Sequence, residues 1–422
     1  MSHKSAPFTA VGTIAIDLGK GHGDHPATAC YHLSIDMTSR RSWREGCQPG
    51  GQKMRRRHKE VKALRRRDVL IGAGSLAAGG TLSFPAPAIA QGTRQLKMVT
   101  DWPAGSPGLN PSAARLAQRI GTASGGRINI EVFPSGTLVR PFETFDAVGA
   151  GIADMYHSVE YYWEKKSPAF NFFAAVPFGF TAVEQFAWVQ YGGGQELWDA
   201  LSGQFNIKPF LCLNTGAQMG GWCTREITSL EGFRGLRYRM PGLGGEVLRR
   251  LGAVVVNLPG SEIVQALKSG AIDASEWVGP WLDMALGLNT VAGYYYYPGF
   301  HEPSSGATLG INKRVWQALD TSDQRVIEDA TAAEYARSLA EFNANNALAL
   351  RRLRNEGTVK ILKLDDMVLK ELYRASKDVV AEAASGDELS KKIYASYQEF
   401  FTLIIDWSDI ADGAVVTSRR LS

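Results

Sequence analysis

The chain has 422 residues, 45% hydrophobic and 21% charged, a balance that argues against a disordered or collagen-like protein. Its net charge of +4 is uneven: residues 1–90 hold 14 of the 46 Lys and Arg but 6 of the 42 Asp and Glu, leaving a body with 32 basic and 36 acidic residues. A mildly acidic body without a basic stripe argues against nucleic acid as a partner. Only His157 and His301 lie beyond residue 60, which argues against a multi-histidine metal enzyme.

Residues 1–53 show no sustained helical or strand periodicity and are expected to be a non-native or disordered extension, with translation starting at Met54. Residues 54–90 read as an export signal. Arg65-Arg66-Arg67 precedes an apolar run too short and too glycine-rich to span a bilayer, and Ala88-Ile89-Ala90 supplies a small-x-small cleavage site. The arginines before a weakly hydrophobic run point to a twin-arginine signal, with a general secretory signal as the alternative, and to a mature periplasmic chain starting at Gln91. In that oxidising compartment Cys212 and Cys223 are either bonded or two buried free thiols.

Beyond the signal, residues 95–100 alternate as a strand, 111–122 carry helical spacing, and 127–133 alternate again. A helix over 142–150 and a short buried strand over 153–156 complete a β-α-β-α-β opening, the mark of an α/β domain. Strands are predicted at 209–213, 236–240 and 254–257, and helices at 245–251 and 262–269, so the second half repeats the logic of the first. The pattern predicts lobe 1 over 91–215, with 278–320 returning to it, and lobe 2 over 216–277, with helical and strand additions over 321–385. Thr321 and Gln324 read as a capping box opening a helix to about residue 354, followed by a strand over 357–364 and helices over 365–385 and 387–407. The last helix is apolar on more than one face, which predicts a dimer contact in 386–422. Deleting 386–422 is expected to leave a soluble monomer that still binds ligand.

The chain lacks Gly-x-Ser-x-Gly, Cys-x-x-Cys, His-Glu-x-x-His and a phosphate loop. What remains are polar groups at predicted strand ends. Arg239 ends the strand before Pro241-Gly242, where a planar guanidinium can hold a carboxylate bidentately. Glu276-Trp277 stands at another strand end, where α/β sites gather. Gln218, in a glycine-bounded turn, offers a carbonyl oxygen that with Glu276 and a backbone carbonyl would suit a hard cation.

Three motifs in this order carry a resemblance: Gly235-Leu236-Arg237-Tyr238-Arg239-Met240-Pro241-Gly242, then Gly270-Ala271-Ile272-Asp273-Ala274-Ser275-Glu276-Trp277-Val278-Gly279-Pro280, then Tyr294-Tyr295-Tyr296-Tyr297-Pro298-Gly299. From about Gln91 to Ser422 the chain resembles the periplasmic solute receptors of TRAP transporters, the DctP family, and within it the alpha-keto-acid-binding branch. The resemblance implies a two-lobed α/β periplasmic binding protein, type II-like, with crossing hinge strands and a helical C-terminal extension. It also implies capture of a small 2-oxo or 2-hydroxy monocarboxylate, delivery to TRAP membrane subunits, and pairing through a helix of the C-terminal kind.

Carried over by position, Arg239 would grip the carboxylate, and Gln218, Glu276 and the Trp277 carbonyl would hold a Na⁺ or Ca²⁺ bridging to the ligand. Of Tyr161, Tyr162 and Trp163, Tyr162 is preferred as the aromatic that closes over the ligand. Phe300-His301-Glu302 is expected to line the cleft, with Glu302 in the substrate-binding set. The competing reading is an exported lyase or hydrolase acting on a carboxylic acid.

Overall fold

The computed structural model describes residues 92–421, so the expected extension and signal, with Cys30 and Cys47, lie outside the described residues. Among the described residues, eleven strands form two sheets. Their ranges are β1 Arg94–Thr100, β2 Ile128–Phe133, β3 Met155–Ser158, β4 Ile207–Asn214, β5 Gly221–Cys223, β6 Arg237–Arg239, β7 Val254–Val256, β8 Ala274–Ser275, β9 Tyr294–Tyr297, β10 Gly306–Asn312 and β11 Lys360–Lys363. The first sheet has the order β2-β1-β3-β10-β4 and the second β11-β9-β5-β8-β6-β7.

Within the first sheet β1, β2 and β3 are parallel, joined by the predicted helical crossovers, while β10 runs antiparallel to both neighbours. In the second, β6 is parallel to β7 and β8, and β5 is antiparallel to β8 and β9. Cys212 lies on β4 and Cys223 on β5, one in each sheet, and both are buried free thiols.

The chain changes sheets three times, twice through short irregular segments and once, from β10 to β11, through a long helix. β4 of the first sheet leads to β5 of the second, and β9 of the second returns to β10 of the first. These are the crossing strands that the family resemblance implies. The expected lobe boundaries need two corrections. Residues 278–320 do not return to the first lobe as a block, because β9 pairs with β5 and β11 in the second sheet. Nor does 321–385 belong to the second lobe as a block. The helix Thr321–Glu356 lies along the first lobe, with Ile327 and Ala330 in the core shared by Met98, Leu116 and Ile311, and only its later Phe342 and Leu353 join the core of the second sheet. Thirty-six residues of helix rise about 54 Å, enough to run past both sheets.

That helix starts one residue earlier than predicted. Asp320, not Thr321, is the cap: its carboxylate accepts the Asp323 N–H at 2.8 Å, and an anion suits a helix N-terminus better than a hydroxyl. Gly357, at φ 64°, ends it in the left-handed conformation that glycine adopts freely. The helix predicted from residue 245 spans Gly242–Arg250, drawing its glycines into the first turn.

The largest core is aromatic. Phe173 stacks between Trp188 and Trp198, with centroids 5.2 and 5.0 Å away. The C-terminal helix Glu388–Ser408 closes this core through Ile393 and Tyr397, and the Tyr397 hydroxyl accepts the Phe180 N–H at 3.1 Å. This overturns the expectation that 386–422 can be deleted: removing two large buried side chains would cost several kcal/mol and open the core. The helix's other face carries Leu403, Ile405 and Trp407 into solvent, with Trp407 63% exposed.

Candidate functional site

The two crossings lie side by side and are zipped together by their backbones. Thr215 N–H donates to Ser305 O at 3.1 Å, Gln218 N–H to Glu302 O at 3.2 Å, Gly299 N–H to Gln218 O at 3.1 Å, and Gly220 N–H to Tyr296 O at 2.7 Å. Asn214 turns the first corner. Its side-chain oxygen accepts the Gly216 N–H at 2.7 Å, and its amide donates to the Tyr335 hydroxyl at 2.8 Å on the long helix. Gln218 and the 301–302 pair are thereby held at the hinge.

Arg239 and Glu276 meet because β6 and β8 are parallel neighbours that end at the same sheet edge. The Arg239 guanidinium pairs with the Glu276 carboxylate, and its Nη1 and Nε also donate to the backbone oxygens of Glu276, at 3.2 Å, and Leu258, at 3.1 Å. The Trp277 ring lies 5.5 Å from the guanidinium carbon, a cation–π contact. Both charged side chains are 1% exposed. Arg237, two residues earlier, forms a bidentate pair with Asp273 at the exposed end of the strand and takes no part in the cluster.

Asp283 pins the segment after Trp277, a function the sequence reading missed. Its carboxylate accepts the N–H groups of Val278 and Gly279, both at 3.0 Å, the Trp222 indole N–H at 2.9 Å and the Tyr295 hydroxyl at 2.6 Å. Burial pushes this carboxyl up to about 6 even so. An aspartate three residues after Pro280, in the first turn of a helix, was the available signal.

Glu302 accepts the Gln218 side-chain amide at 2.7 Å, and His301 Nε2 stands 3.6 Å from Glu276 Oε2. One donor atom from each of Glu276, His301 and Glu302 lies within 4.8 Å of the others. Four side chains here keep buried atoms without a hydrogen-bond partner: Gln218 Oε1, Glu276 Oε2, Glu302 Oε1 and both His301 nitrogens. Buried polar atoms are normally paired, so such a convergence marks a place built for something else to bind.

Burial and then the adjacent Glu276 carboxylate push the Glu302 carboxyl up to about 7. Burial works against the Arg239 charge, but Glu276, Tyr162, Tyr161 and Glu302 hold the guanidinium above its ordinary range. Three unpartnered oxygens, of Gln218, Glu276 and Glu302, converge beside the guanidinium in a dry site. The donor set fits a hard cation.

The first lobe contributes the turn Glu160–Trp163. Trp163 points into the aromatic core, with its ring 5.0 Å from Phe145. Tyr161 is buried beside the second lobe: a Cβ built on Gly242 would stand 3.3 Å from its own. Gly242, at φ 65°, thus permits the close approach as well as the backbone conformation. Tyr162 is half-buried against Phe142 at 4.5 Å. Burial pushes its phenol above the ordinary range, and the Arg239 charge opposes that rise. Arg239, Gln218, Glu276, Trp277 and Glu302 therefore come together, while Tyr162 lies on the first-lobe turn, packed against the core that includes Trp277.

Comparisons with known proteins agree with this architecture. The chain is 40% identical over 314 residues to the monocarboxylate 2-oxoacid-binding periplasmic protein of Nostoc sp. strain PCC 7120, covering 74% of this chain and 86% of that protein. A TRAP transporter solute-binding protein from Bordetella bronchiseptica, solved as a mixed-occupancy dimer with copurified calcium and picolinate, superposes with a TM-score of 0.76 at 35% identity, covering 78% of this chain and 97% of the other. A TRAP periplasmic solute-binding protein from Pseudoalteromonas atlantica, solved with sodium and pyruvate, gives 0.75 at 34% identity, covering 77% and 99%. The profile of the bacterial extracellular solute-binding proteins, family 7, matches residues 98–387. With that match across most of its length, the chain belongs to family 7 of the bacterial extracellular solute-binding proteins, the DctP family.

Proposed function

We propose that this protein is an exported receptor that captures a small 2-oxo or 2-hydroxy monocarboxylate, pyruvate-like or lactate-like, together with a cation, and delivers it to the membrane subunits of a TRAP transporter. The observation that carries this reading is the buried cluster at the hinge, where Arg239 and Trp277 adjoin unpartnered oxygens of Gln218, Glu276 and Glu302. A guanidinium beside a cation site suits a ligand with a carboxylate and an oxygen on the next carbon. The relatives with sodium and pyruvate, or calcium and picolinate, support the same chemistry.

In this reading Arg239 grips the ligand carboxylate, exchanging part of its pairing with Glu276 for the ligand. Gln218, Glu276 and the Trp277 carbonyl hold Na⁺ or Ca²⁺. Tyr162 closes from the first lobe, and Glu302 orients Gln218 through its hydrogen bond. The chain binds rather than transforms its ligand, reaches the periplasm on a twin-arginine or secretory signal, and pairs with a second copy through its C-terminal helix. Calorimetry of the chelated protein with pyruvate and lactate, with and without Na⁺ or Ca²⁺, tests this. Cation-dependent binding with no turnover is the expected result. Catalytic consumption of either acid would favour the enzyme reading.

A further inference from the structure

His301 differs from the other histidine among the described residues. The Nδ1 of His157 accepts the Trp102 indole N–H at 2.8 Å, which anchors that ring within the first lobe. His301 is equally buried, yet neither of its nitrogens has a hydrogen-bond partner. A neutral imidazole carries one donor and one acceptor, and leaving both unmet in a dry interior is unfavourable unless the ring serves a bound species.

The ring is also held in place. Its backbone lies in the zipped hinge, where Glu302 N–H donates to Gly299 O at 3.2 Å and Phe178 N–H to Phe300 O at 2.8 Å. Phe300 packs against the ring in an edge arrangement at 5.5 Å. Behind it stands Gly244, where any side chain would collide with the His301 Cβ. Nε2 is thereby fixed 3.6 Å from the unpartnered Glu276 Oε2, with a Glu302 oxygen in the same group of possible donors.

We infer that His301 is a nitrogen ligand of the cation site, and that the site therefore accepts a first-row divalent transition ion as well as Na⁺ or Ca²⁺. The inference rests on the cation-and-carboxylate reading above and extends it. Imidazole nitrogen favours ions such as Co²⁺, Ni²⁺ and Zn²⁺ over Na⁺ and Ca²⁺, which take oxygen.

The test uses the mature chain, stripped with chelator and loaded with Mn²⁺, Co²⁺ or Ca²⁺ alone. Electron spin-echo spectroscopy of the Mn²⁺ form should show nitrogen modulation that changes when histidine is ¹⁵N-labelled. His301→Gln should lower Co²⁺ affinity on the order of 10- to 100-fold, with a smaller effect on Ca²⁺. If Ca²⁺ binds but the nitrogen signature is absent, or Co²⁺ and Ca²⁺ affinities fall in parallel in the variant, the nitrogen ligand is disproved while the cation site stands. If none of the three ions binds, the cation reading itself fails. The spin-echo result uses the unaltered chain and holds even if the variant does not fold.

Discussion

Gln218 and Glu302 are joined twice: the Gln218 backbone N–H donates to the Glu302 carbonyl at 3.2 Å, and its side-chain amide donates to the Glu302 carboxylate at 2.7 Å. Because the two residues lie on the two crossings, this pair of hydrogen bonds ties the hinge and the binding cluster into one unit. It also fixes the orientation of the amide, leaving the Gln218 oxygen unpartnered and available to a cation.

Arg239→Lys keeps a positive charge and loses the planar fork. Lysine cannot reach Glu276, the Leu258 carbonyl and a ligand carboxylate together, so binding should weaken by about 2–4 kcal/mol. Calorimetry with pyruvate reads this directly. An unchanged affinity would remove Arg239 from the ligand contact.

Glu276→Gln removes one anionic oxygen from the cation site and the partner of a buried guanidinium. Both the Ca²⁺ requirement for pyruvate binding and the unfolding temperature should respond. Half-saturation should move to higher Ca²⁺, and the variant should melt earlier because Arg239 is left with an uncompensated buried charge. Pyruvate affinity independent of Na⁺ and Ca²⁺ in the chelated parent protein would refute the bridging cation.

Glu160 gives a pH prediction away from the cation site. It is fully buried, accepts the Tyr156 hydroxyl at 2.7 Å, and burial raises its carboxyl from 4.5 to about 7. The folded state therefore holds this proton more tightly than the unfolded state. Its contribution is fully present below the unfolded value and is lost as pH rises through about 7, a span worth roughly 3 kcal/mol. Glu160→Gln replaces the neutral acid with a neutral amide of the same shape. Melting temperatures of ligand-free protein from pH 5 to 8 should fall less steeply in the variant. Equal slopes would show that Glu160 is not the titrating group.

How much of this was legible in the sequence depended on the range of the interaction. Periodicity placed β1, β2, the helix Asp366–Ala383 and the helix Glu388–Ser408 within a few residues, because alternation and helical spacing are local. The motifs led to Arg239 and Glu276 because both stand at strand ends. Tyr294–Tyr297 went to the wrong lobe because its partner is Gly221–Cys223, more than seventy residues earlier, and strand pairing leaves no local mark. The segment 298–305 has no regular period, so the sequence placed His301 near the cleft without showing that both of its nitrogens lack partners.

The C-terminal helix supplies the final prediction. One side of Glu388–Ser408 is spent on the core, through Ile393 and Tyr397, with Phe400, Phe401 and Ile404 packed against it. The opposite side shows Leu403 at 69% exposure and Trp407 at 63%, continued by Ile410 at 73%. The Ser408 hydroxyl bonds Glu184, so this end lies on the helix Ala182–Tyr191. An apolar surface of this extent on a protein in water calls for a cover, and a second copy meeting it about a two-fold axis would bury the same residues from both sides. Light scattering on the mature protein should give a dimer mass at micromolar concentration. Leu403→Lys with Trp407→Glu should give a monomer that keeps its unfolding temperature and still binds pyruvate, because Ile393 and Tyr397 stay in place and the hinge cluster is built from other segments. A monomer mass for the unaltered protein at high micromolar concentration would refute the dimer.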